Sequence, residues 1–568
     1  MLAPSPPVSP WLRALLVGAA ALLLFGALGN LEASAPDEPR YLQISEEVRA
    51  LDRGPRGLVL LHLNDEPYTQ KPPLYYWLAA AVGAAQGRVT EFAGRVPSAA
   101  AGVLLVWLTA SLGARLLGGR AGFVAAGLLL TTYKFAFLAR RVQLDPLLAL
   151  FETLALAAFW RLDRGIGKAS LNAVGLHAAL GLAVLTKGPV GFLVPTLIVS
   201  AYLAWEGRLR DLVRAFPWWG LLLSVAPGLV WVSAAVALGP SGFAADAIWQ
   251  NLAGRIFDGA PHGQDPEYYL SRLPIDFLPW SLLLPTAALG AWRTLRDSTA
   301  TPETQRAWRF LVAWVTASIV FFSIPAGKRG LYLLPAFPAL ALLCAGALER
   351  WLAGRARAPK RLVLFACLVG ILFAFVGALA LQLGSGAPLP ALFKSPWLGR
   401  WLRPGDLADI DLNLLRSFGL TLFGAIVVGA VAWVALLRAR SSALRFVLVP
   451  ISLAYTALFA TFAQLLPAID KMRSVKPIAE AADAQTPAGQ AIGLYDEHNL
   501  VGGLAYYAKD PIQELATPQE VAEFFEKSRG RVVVAKAQKV EGVTLGKEVA
   551  GFRSGERRIV LIGPSGDR

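Results

Sequence analysis

Long apolar segments are the strongest constraint that the sequence places on the fold. Between Trp11 and Leu466 they recur with lengths of roughly 18 to 25 residues, enough for a helix to cross the roughly 30 Å hydrocarbon core of a bilayer. Of the 568 residues, 55% are hydrophobic and only 16% are charged, unlike an average soluble domain. We therefore predict an α-helical polytopic membrane protein with about thirteen transmembrane helices. The predicted spans lie at about 11–31, 92–114, 121–139, 144–160, 170–186, 188–206, 216–238, 274–291, 308–325, 330–348, 361–383, 413–437 and 444–466.

Six alternate loops between the apolar segments carry clusters of positive charge. The formal net charge is +15, and the Lys and Arg residues cluster in six short loops between apolar segments, where a membrane protein keeps its positive-inside signal. We therefore assign these loops to the cytoplasm and predict no nucleic-acid partner. The remaining loops then face outward, at 32–91, 140–143, the turn near Lys187, 239–273, 326–329, 384–412 and the chain after 467.

The chain becomes polar after residue 467. Short β-like runs such as QAIGLY and RVVVAK alternate there with a helix-like TPQEVAEFFEKS. We predict a transmembrane domain over residues 1–467, with juxtamembrane helices in outer-face loops 32–91 and 239–273. A small C-terminal α/β extramembrane domain is predicted over residues 468–568, on the outer side.

Two features exclude other interpretations. Ala33-Ser34-Ala35 mimics a signal-peptidase site, but the preceding apolar segment exceeds the roughly 7 to 15 residues of a signal-peptide core, so we expect an uncleaved first span. The two cysteines, Cys344 and Cys367, both lie in apolar segments. Neither a disulfide framework nor a cysteine metal site is therefore expected.

The outer stretch PDEPRYLQISEEV contains two adjacent acids at the start of a predicted amphipathic helix. Apolar residues recur at spacings of three and four from Tyr41, which indicates a helix lying on the membrane surface. Taken alone, Asp37 is best interpreted as a helix N-cap, Glu38 as a complement to the helix dipole and Pro39 as a first-turn proline.

Other outward-facing motifs combine cations with acids and tyrosines. Lys71 precedes a double proline, Asp145 lies at the mouth of a span, and Lys187 lies in a TKGPVG turn that glycine and proline explain without chemistry. The cytoplasmic loops contain no nucleotide-binding motif such as a Walker loop. Outward cations suit a phosphate-bearing substrate delivered by the membrane, and the acids beside them could deprotonate an acceptor hydroxyl.

The ordered motifs PDEPRYLQISEEV, QKPPLYYWL, RVQLDPLL, TKGPVG and GKRGLYLLP resemble those of bacterial lipid A aminoarabinose transferases and protein O-mannosyltransferases. These are GT-C type glycosyltransferases that use polyprenyl-phosphate sugars. The resemblance extends over most of residues 11–466. It implies catalytic acids at Asp37 and Asp145, with Glu38 completing the first motif. The implied donor-phosphate ligands are Lys71, Tyr332, Arg40, Lys328 and Arg255, and the implied substrate contacts are Tyr41 and Tyr68.

The resemblance implies no certain cofactor and leaves a divalent cation open. Aminoarabinose transferases usually have a glutamate before the phosphate-binding lysine, where it helps to bind a metal together with a histidine of the long outer loop. This sequence has Gln70 at that position, and His262 at the corresponding histidine position. A neutral amide is a poorer ligand for a divalent ion than a carboxylate.

The predicted function is sugar transfer from a polyprenyl-phosphate donor, undecaprenyl phosphate in bacteria, to lipid A or another envelope acceptor, with inversion. The predicted location is the bacterial inner membrane, with the site on the periplasmic side and membrane lipids around it. A protein O-mannosyltransferase-like activity on polypeptides is the enzymatic alternative. A polyprenyl-glycan transporter is disfavoured because ionisable residues cluster at the outer boundary and no repeat is found. The sugar itself stays open.

Overall fold

Helices account for most of the architecture of the computed structural model. It describes residues 8–51, 53–248, 264–352, 360–386, 411–438, 443–527, 530–541, 546–554 and 557–564. Within these residues, nine helices are long and apolar enough to cross a membrane, and two bent helix pairs also qualify. Helices Leu144–Asp163 and Val190–Trp205 occupy the two remaining predicted spans. Each of the thirteen predicted segments therefore overlaps a helix or a bent pair, which confirms the helical membrane fold.

The candidate spans have the following bounds. The straight helices are Pro10–Asn30, Glu91–Leu116, Ala169–Lys187, Trp218–Leu238, Pro302–Ser323, Gly330–Leu352, Lys360–Gly384, Leu412–Leu436 and Val447–Arg473. The bent pairs are Gly119–Leu130 with Tyr133–Ala139, at 68°, and Tyr268–Asp276 with Trp280–Arg296, at 113°.

Two predicted spans are bent rather than straight, and their breaks contact each other. The backbone N–H of Tyr133 donates to the carbonyl of Leu278 (3.0 Å), so each break satisfies a group of the other. The Trp280 indole N–H donates to Thr131 Oγ1 (3.1 Å). The helix Tyr268–Asp276 cannot continue through Pro279, because proline lacks the N–H that a helix interior requires. The freed polar groups are thus paired inside the protein, as a bilayer environment demands.

The outer loop between the first two straight spans folds into a helix, a hairpin and a second helix. The predicted amphipathic helix is observed as Asp37–Ala50, here called the first outer helix, and Tyr41, Ile44 and Val48 form its buried face. It packs against helix Leu74–Ala84. The elements of this loop are Arg56–Val59, the strands His62–Leu63 and Glu66–Pro67, and Leu74–Ala84.

The predicted N-cap role of Asp37 is wrong. Pro36 occupies the cap position, Asp37 is the first helical residue, and no side chain caps this end. Asp37 instead forms ion pairs with arginines, described below. Glu38 does lie in the first turn, as expected of an acid that complements the helix dipole, but only 5% of it is exposed.

The polar C-terminal chain forms a five-stranded mixed sheet with helices, here called the C-terminal unit. The strands are ordered Ile512–Leu515, Ile492–Tyr495, Val533–Lys536, Arg557–Gly563, Lys547–Ser554, and the first three run parallel. Its helices are Lys476–Gln485, His498–Tyr507, Pro518–Lys527 and Ala537–Val540. The predicted domain boundary at 467/468 falls inside the continuous helix Val447–Arg473.

A buried ion network fixes the start of the first outer helix. Glu38 accepts hydrogen bonds from Arg95 Nε (3.0 Å) and Arg95 Nη2 (3.1 Å), and from Arg141 Nη1 (2.8 Å). The backbone N–H groups of Val142 (2.8 Å) and Ser34 (3.0 Å) complete its coordination. Both carboxylate oxygens are saturated, so three separated chain segments are held to one residue.

Arginines of the same layer also satisfy the end of the first span. Arg140 donates to the carbonyls of Leu23 (2.5 Å) and Gly26 (2.8 Å), and Arg95 donates to Leu28 O (3.0 Å). These carbonyls lie beyond the last helical hydrogen bonds and need partners. Positive charge on the side predicted to face outward, which membrane topology disfavours, is thereby buried and hydrogen-bonded.

We predict that Glu38→Gln lowers the free energy of unfolding by about 3–5 kcal/mol, because it leaves two buried arginines without their carboxylate. Thermal unfolding of the protein in detergent measures the change. Glu548→Gln is the matched control, since Glu548 pairs with Arg558 at an exposed site and such pairs contribute little. Equal melting temperatures for wild type and Glu38→Gln would contradict the role of this network.

The same network sets a pH window. Burial raises the pKa of Glu38, but Arg95 and Arg141 outweigh this effect and bring it from 4.5 to about 2. Because the folded pKa lies below the ordinary value, the stabilisation is complete above about pH 4.5 and is lost as the pH falls towards 2. The stability difference between wild type and Glu38→Gln is therefore constant from pH 8 to about 5 and shrinks below about 4.5.

Candidate active site

Asp37 lies between two arginines at the start of the first outer helix. Arg40 Nη2 approaches Asp37 Oδ1 at 2.5 Å, and Arg329 Nη2 approaches Asp37 Oδ2 at 3.0 Å. The Asp37 side chain is 19% exposed, so the carboxylate remains accessible. Burial raises its pKa, but Arg40, Arg329 and Lys71 outweigh that effect and the net pKa is lowered. Asp37 is therefore an ionised carboxylate at neutral pH.

The segment after the Pro302–Ser323 helix brings Arg329, rather than Lys328, to Asp37. Lys328 is buried and donates from Nζ to the backbone carbonyl of Gln264 (2.9 Å). Arg329 has extended backbone, so its side chain points the other way and remains 39% exposed. The resemblance implied a phosphate-ligand role for Lys328, and Arg329 was assigned no role in the site. The two adjacent cations differ in role because the extended backbone points their side chains in opposite directions.

A second ion pair joins Asp145 to Lys187. Lys187 Nζ lies 2.6 Å from Asp145 Oδ1 and 4.6 Å from the centre of the Tyr332 ring. Asp145 is in the first turn of helix Leu144–Asp163, and Lys187 ends the adjacent helix. Gly188 follows with a positive φ of 81°, a backbone conformation that glycine adopts without strain.

Lys187 therefore joins the candidate site, contrary to its interpretation as a structural turn residue. Its side chain is 11% exposed and points towards an acid and a tyrosine rather than outward into headgroups. The TKGPVG sequence gives no sign of this, because a lysine at a helix end is common. The antiparallel packing of the two helices brings Lys187 to Asp145.

Residues 329–332 connect the two ion pairs. Arg329 contacts Asp37, and Tyr332 lies against Lys187 three residues later. The backbone carbonyl of Arg329 accepts a hydrogen bond from Tyr269 Oη (3.2 Å), which holds the segment in place. Tyr332 thus lies against Lys187, the cation that pairs with Asp145, and its implied role as a donor-phosphate ligand stays a prediction.

The predicted substrate contacts Tyr41 and Tyr68 belong to a packed aromatic cluster. Both rings lie edge-on to Tyr76, at centroid distances of 5.7 Å and 6.1 Å. Arg40 lies 5.3 Å from the centre of the Tyr41 ring. Each of the three tyrosines is no more than 5% exposed. The cluster orients Arg40 towards Asp37, and Tyr76 is a member that sequence analysis did not name.

Lys71 faces the same carboxylate from the second part of the outer loop. Its positive charge is one of the causes that lower the pKa of Asp37, and its side chain is half-buried. Two prolines separate Lys71 from the helix Leu74–Ala84, and Pro73 occupies the cap position of that helix. Arg255 and His262 lie outside the described residues.

The described residues around Gln70 do not form a metal site. Gln70 supplies a neutral amide, and no group of three His, Cys, Asp or Glu side chains suited to a metal occurs within the part of the chain that the structure describes. Divalent ions of the hard or borderline kind require several anionic or imidazole ligands.

Glu38 differs from Asp37 because both of its carboxylate oxygens already accept hydrogen bonds inside the protein. Both oxygens are occupied by arginine and backbone donors, and 5% of the residue is exposed. A carboxylate that already accepts from five donors cannot readily take a proton from a substrate. The geometry favours a positioning role for Glu38 over the predicted catalytic one.

The arrangement suits recognition of a phosphate beside a base. Lys71, Arg329 and Lys187 surround two carboxylates, so positive charge exceeds negative charge locally. Cations of this kind bind phosphate oxygens by charge-assisted hydrogen bonds. Asp37 is ionised and accessible, so it can accept a proton.

Comparison with known proteins identifies a related family and a related fold. The sequence model of the family described as dolichyl-phosphate-mannose-protein mannosyltransferase matches residues 14–247. The crystal structure of ArnT from Cupriavidus metallidurans bound to undecaprenyl phosphate superposes with a TM-score of 0.74 at 22% identity, over 99% of this chain and 100% of that one. The two proteins share their fold.

Curated relatives extend the comparison to the sequence. A protein of Pseudomonas fluorescens strain Pf0-1, undecaprenyl phosphate-alpha-4-amino-4-deoxy-L-arabinose arabinosyl transferase 1, is 33% identical over 325 residues, 56% of this chain and about half (54%) of that protein. The transferase 2 of strain Pf-5 is 30% identical over 574 residues, 98% of this chain and 93% of that protein. Because the second alignment covers nearly all of both chains, this protein belongs to the family of undecaprenyl phosphate-alpha-4-amino-4-deoxy-L-arabinose arabinosyl transferases.

Proposed function

We propose that the protein transfers a sugar from undecaprenyl phosphate to lipid A or another envelope glycolipid, with inversion, on the periplasmic face of a bacterial inner membrane. The observation that carries the proposal is the pair of ionic contacts, Asp37 with Arg329 and Asp145 with Lys187, joined through residues 329–332. The names of the relatives support the carrier and the sugar, 4-amino-4-deoxy-L-arabinose. The basic loops of the sequence support the orientation.

The reaction is a single displacement at the anomeric carbon. The bond from that carbon to the phosphate oxygen breaks, and a bond to the acceptor oxygen forms on the opposite face. Where the acceptor is a hydroxyl, its proton moves to the Asp37 carboxylate, which acts as general base. Lys71, Lys187 and Tyr332 stabilise the negative charge that develops on the departing lipid phosphate.

A polypeptide acceptor is the second candidate. It is favoured by the match of residues 14–247 to a family of protein mannosyltransferases. The same donor-phosphate chemistry serves either acceptor, because both present an oxygen nucleophile. Purified protein incubated with lipid A or with denatured envelope protein, and with either undecaprenyl-phosphate aminoarabinose or undecaprenyl-phosphate mannose, distinguishes the two candidates by mass.

We predict that Asp37→Asn lowers the turnover number by at least about 100-fold where the acceptor oxygen is a hydroxyl, because a positioned general base contributes roughly 10²–10⁴ in rate. Release of undecaprenyl phosphate from the aminoarabinose donor, with lipid A as acceptor, measures turnover. Asp65→Asn is the matched control, since Asp65 is an exposed acid of the same outer loop. Wild-type turnover in Asp37→Asn would overturn the assignment.

We predict that Lys187→Met raises the Michaelis constant for the donor and lowers turnover, each by about 10-fold. The change removes a charged hydrogen-bond donor, which typically contributes about 1.5–3 kcal/mol, and leaves Asp145 without its cation. Steady-state kinetics with varied donor separates the two effects. Lys168→Met, at the exposed cytoplasmic start of the same helix, is the control. Unchanged kinetics would return Lys187 to a structural role.

We predict that chelation leaves turnover within about twofold of the untreated protein, because Gln70 does not supply an anionic ligand. Turnover before and after EDTA treatment and dialysis, and after readdition of Zn²⁺ or Mg²⁺, measures the dependence. Wild-type turnover that falls at least tenfold and recovers with one ion would contradict the prediction.

A further inference from the structure

The C-terminal unit and the helix that leads into it contact the residues around Asp37 at three points. Asp470 lies in the connecting helix Leu466–Arg473, and Gly502 and Tyr507 lie in the helix His498–Tyr507 of the C-terminal unit. The described contacts join these residues to segments between 329 and 474 positions earlier in the chain. None of the three was considered in the sequence analysis.

The first contact is ionic. Arg141 Nη1 donates to Glu38 (2.8 Å), and its Nη2 donates to Asp470 Oδ1 (2.5 Å). Asp470 is fully buried, and the Arg141 side chain is 8% exposed. One guanidinium therefore bridges the first outer helix and the connecting helix, and Glu38 is the residue next to Asp37. Planar guanidinium groups impose directional geometry on such bridges.

The second contact is between backbones. A Cβ added at Gly502 would lie 2.6 Å from the Cα and 2.7 Å from the Cβ of Arg40. Only a residue without a side chain permits this approach. Arg40 is the residue whose guanidinium pairs with Asp37. The helix His498–Tyr507 therefore packs directly against the backbone of Arg40 at Gly502.

The third contact fixes the chain that enters the first outer helix. The hydroxyl of Tyr507 accepts a hydrogen bond from the N–H of Ala33 (2.8 Å) and donates to Glu91 Oε1 (3.0 Å). Tyr506 Oη donates to the carbonyl of Val89 (2.9 Å). The same C-terminal helix therefore holds both the approach to Asp37 and the start of the next span.

We propose that the connecting helix and the C-terminal unit position the proposed base, with Asp470 acting through Arg141 and Glu38 and with Gly502 acting through Arg40. Neither residue contacts the substrate. They restrict the orientation of the Asp37 carboxylate, on which the transfer step depends. The expected loss of kcat rests on the proposed function. The expected change in the position of the first outer helix rests on the contacts alone.

The kinetic test uses the full chain with Asp470→Asn and Gly502→Ala. We expect each to lower kcat by about tenfold while the KM for the donor changes less than about twofold, because orientation of the base enters the transfer step. In an Asp37→Asn background the same substitutions should cost less than about twofold, since the residue through which they act is absent. Equal losses in both backgrounds, or unchanged kcat, would overturn the proposal.

Matched controls separate positioning from stability. Gly370→Ala places a methyl group in open space on a helix, and Asp163→Asn breaks a buried ion pair with Arg208 on the cytoplasmic side. Both should retain wild-type kcat per folded molecule. Thermal unfolding identifies the folded fraction of every variant.

Hydrogen exchange tests the contact between Gly502 and Arg40 independently of turnover. Amides of the first outer helix should exchange at least about tenfold faster in Gly502→Val than in Gly370→Ala, because the side chain displaces Arg40. Unchanged protection would contradict the proposal even if the kinetics agreed. Wild-type protein that releases no undecaprenyl phosphate from any donor would refute the proposed function instead, and the exchange result would still decide the positioning role.

Discussion

The buried carboxylate of Glu38 is the interaction on which the outer half of the molecule depends. It collects donors from the second straight span, from the loop before helix Leu144–Asp163 and from the chain ahead of the first outer helix. Burial of a charge is costly unless it is paired and hydrogen-bonded, and here both oxygens are fully satisfied. The network therefore has little freedom to rearrange, and it holds the neighbouring Asp37 in a defined position.

Asp37 and Glu38 show how adjacent acids take different tasks. Residues next to each other on a helix point to different sides, so one faces the arginine layer inside the protein and the other faces the accessible cluster of Lys71, Arg40 and Arg329. The inward acid is saturated and the outward acid remains 19% exposed. Their separation depends on helix geometry and needs no difference in chemistry.

The broken helices show a similar division between local sequence and packing. Pro279 explains where one helix is interrupted, but the compensating hydrogen bond from Tyr133 comes from a different break. In a bilayer such backbone groups must find partners within the protein. Tyr269 of the second bent pair donates to the carbonyl of Arg329 (3.2 Å), and the Arg329 side chain reaches Asp37.

The sequence by itself determined the helical membrane fold and the family resemblance and predicted an outward cluster of acids and cations, because hydropathy, charge placement and ordered motifs are local properties. It named Asp37, Asp145, Lys71 and Tyr332 as candidate site residues, and the described structure brings them together through the contacts of Arg329 and Lys187. Only the tertiary structure decided that Arg329 rather than Lys328 pairs with Asp37, that Lys187 pairs with Asp145, and that Gly502 abuts Arg40. Those contacts join residues between 42 and 462 positions apart, and side-chain direction at such separations follows from packing, which no local pattern records.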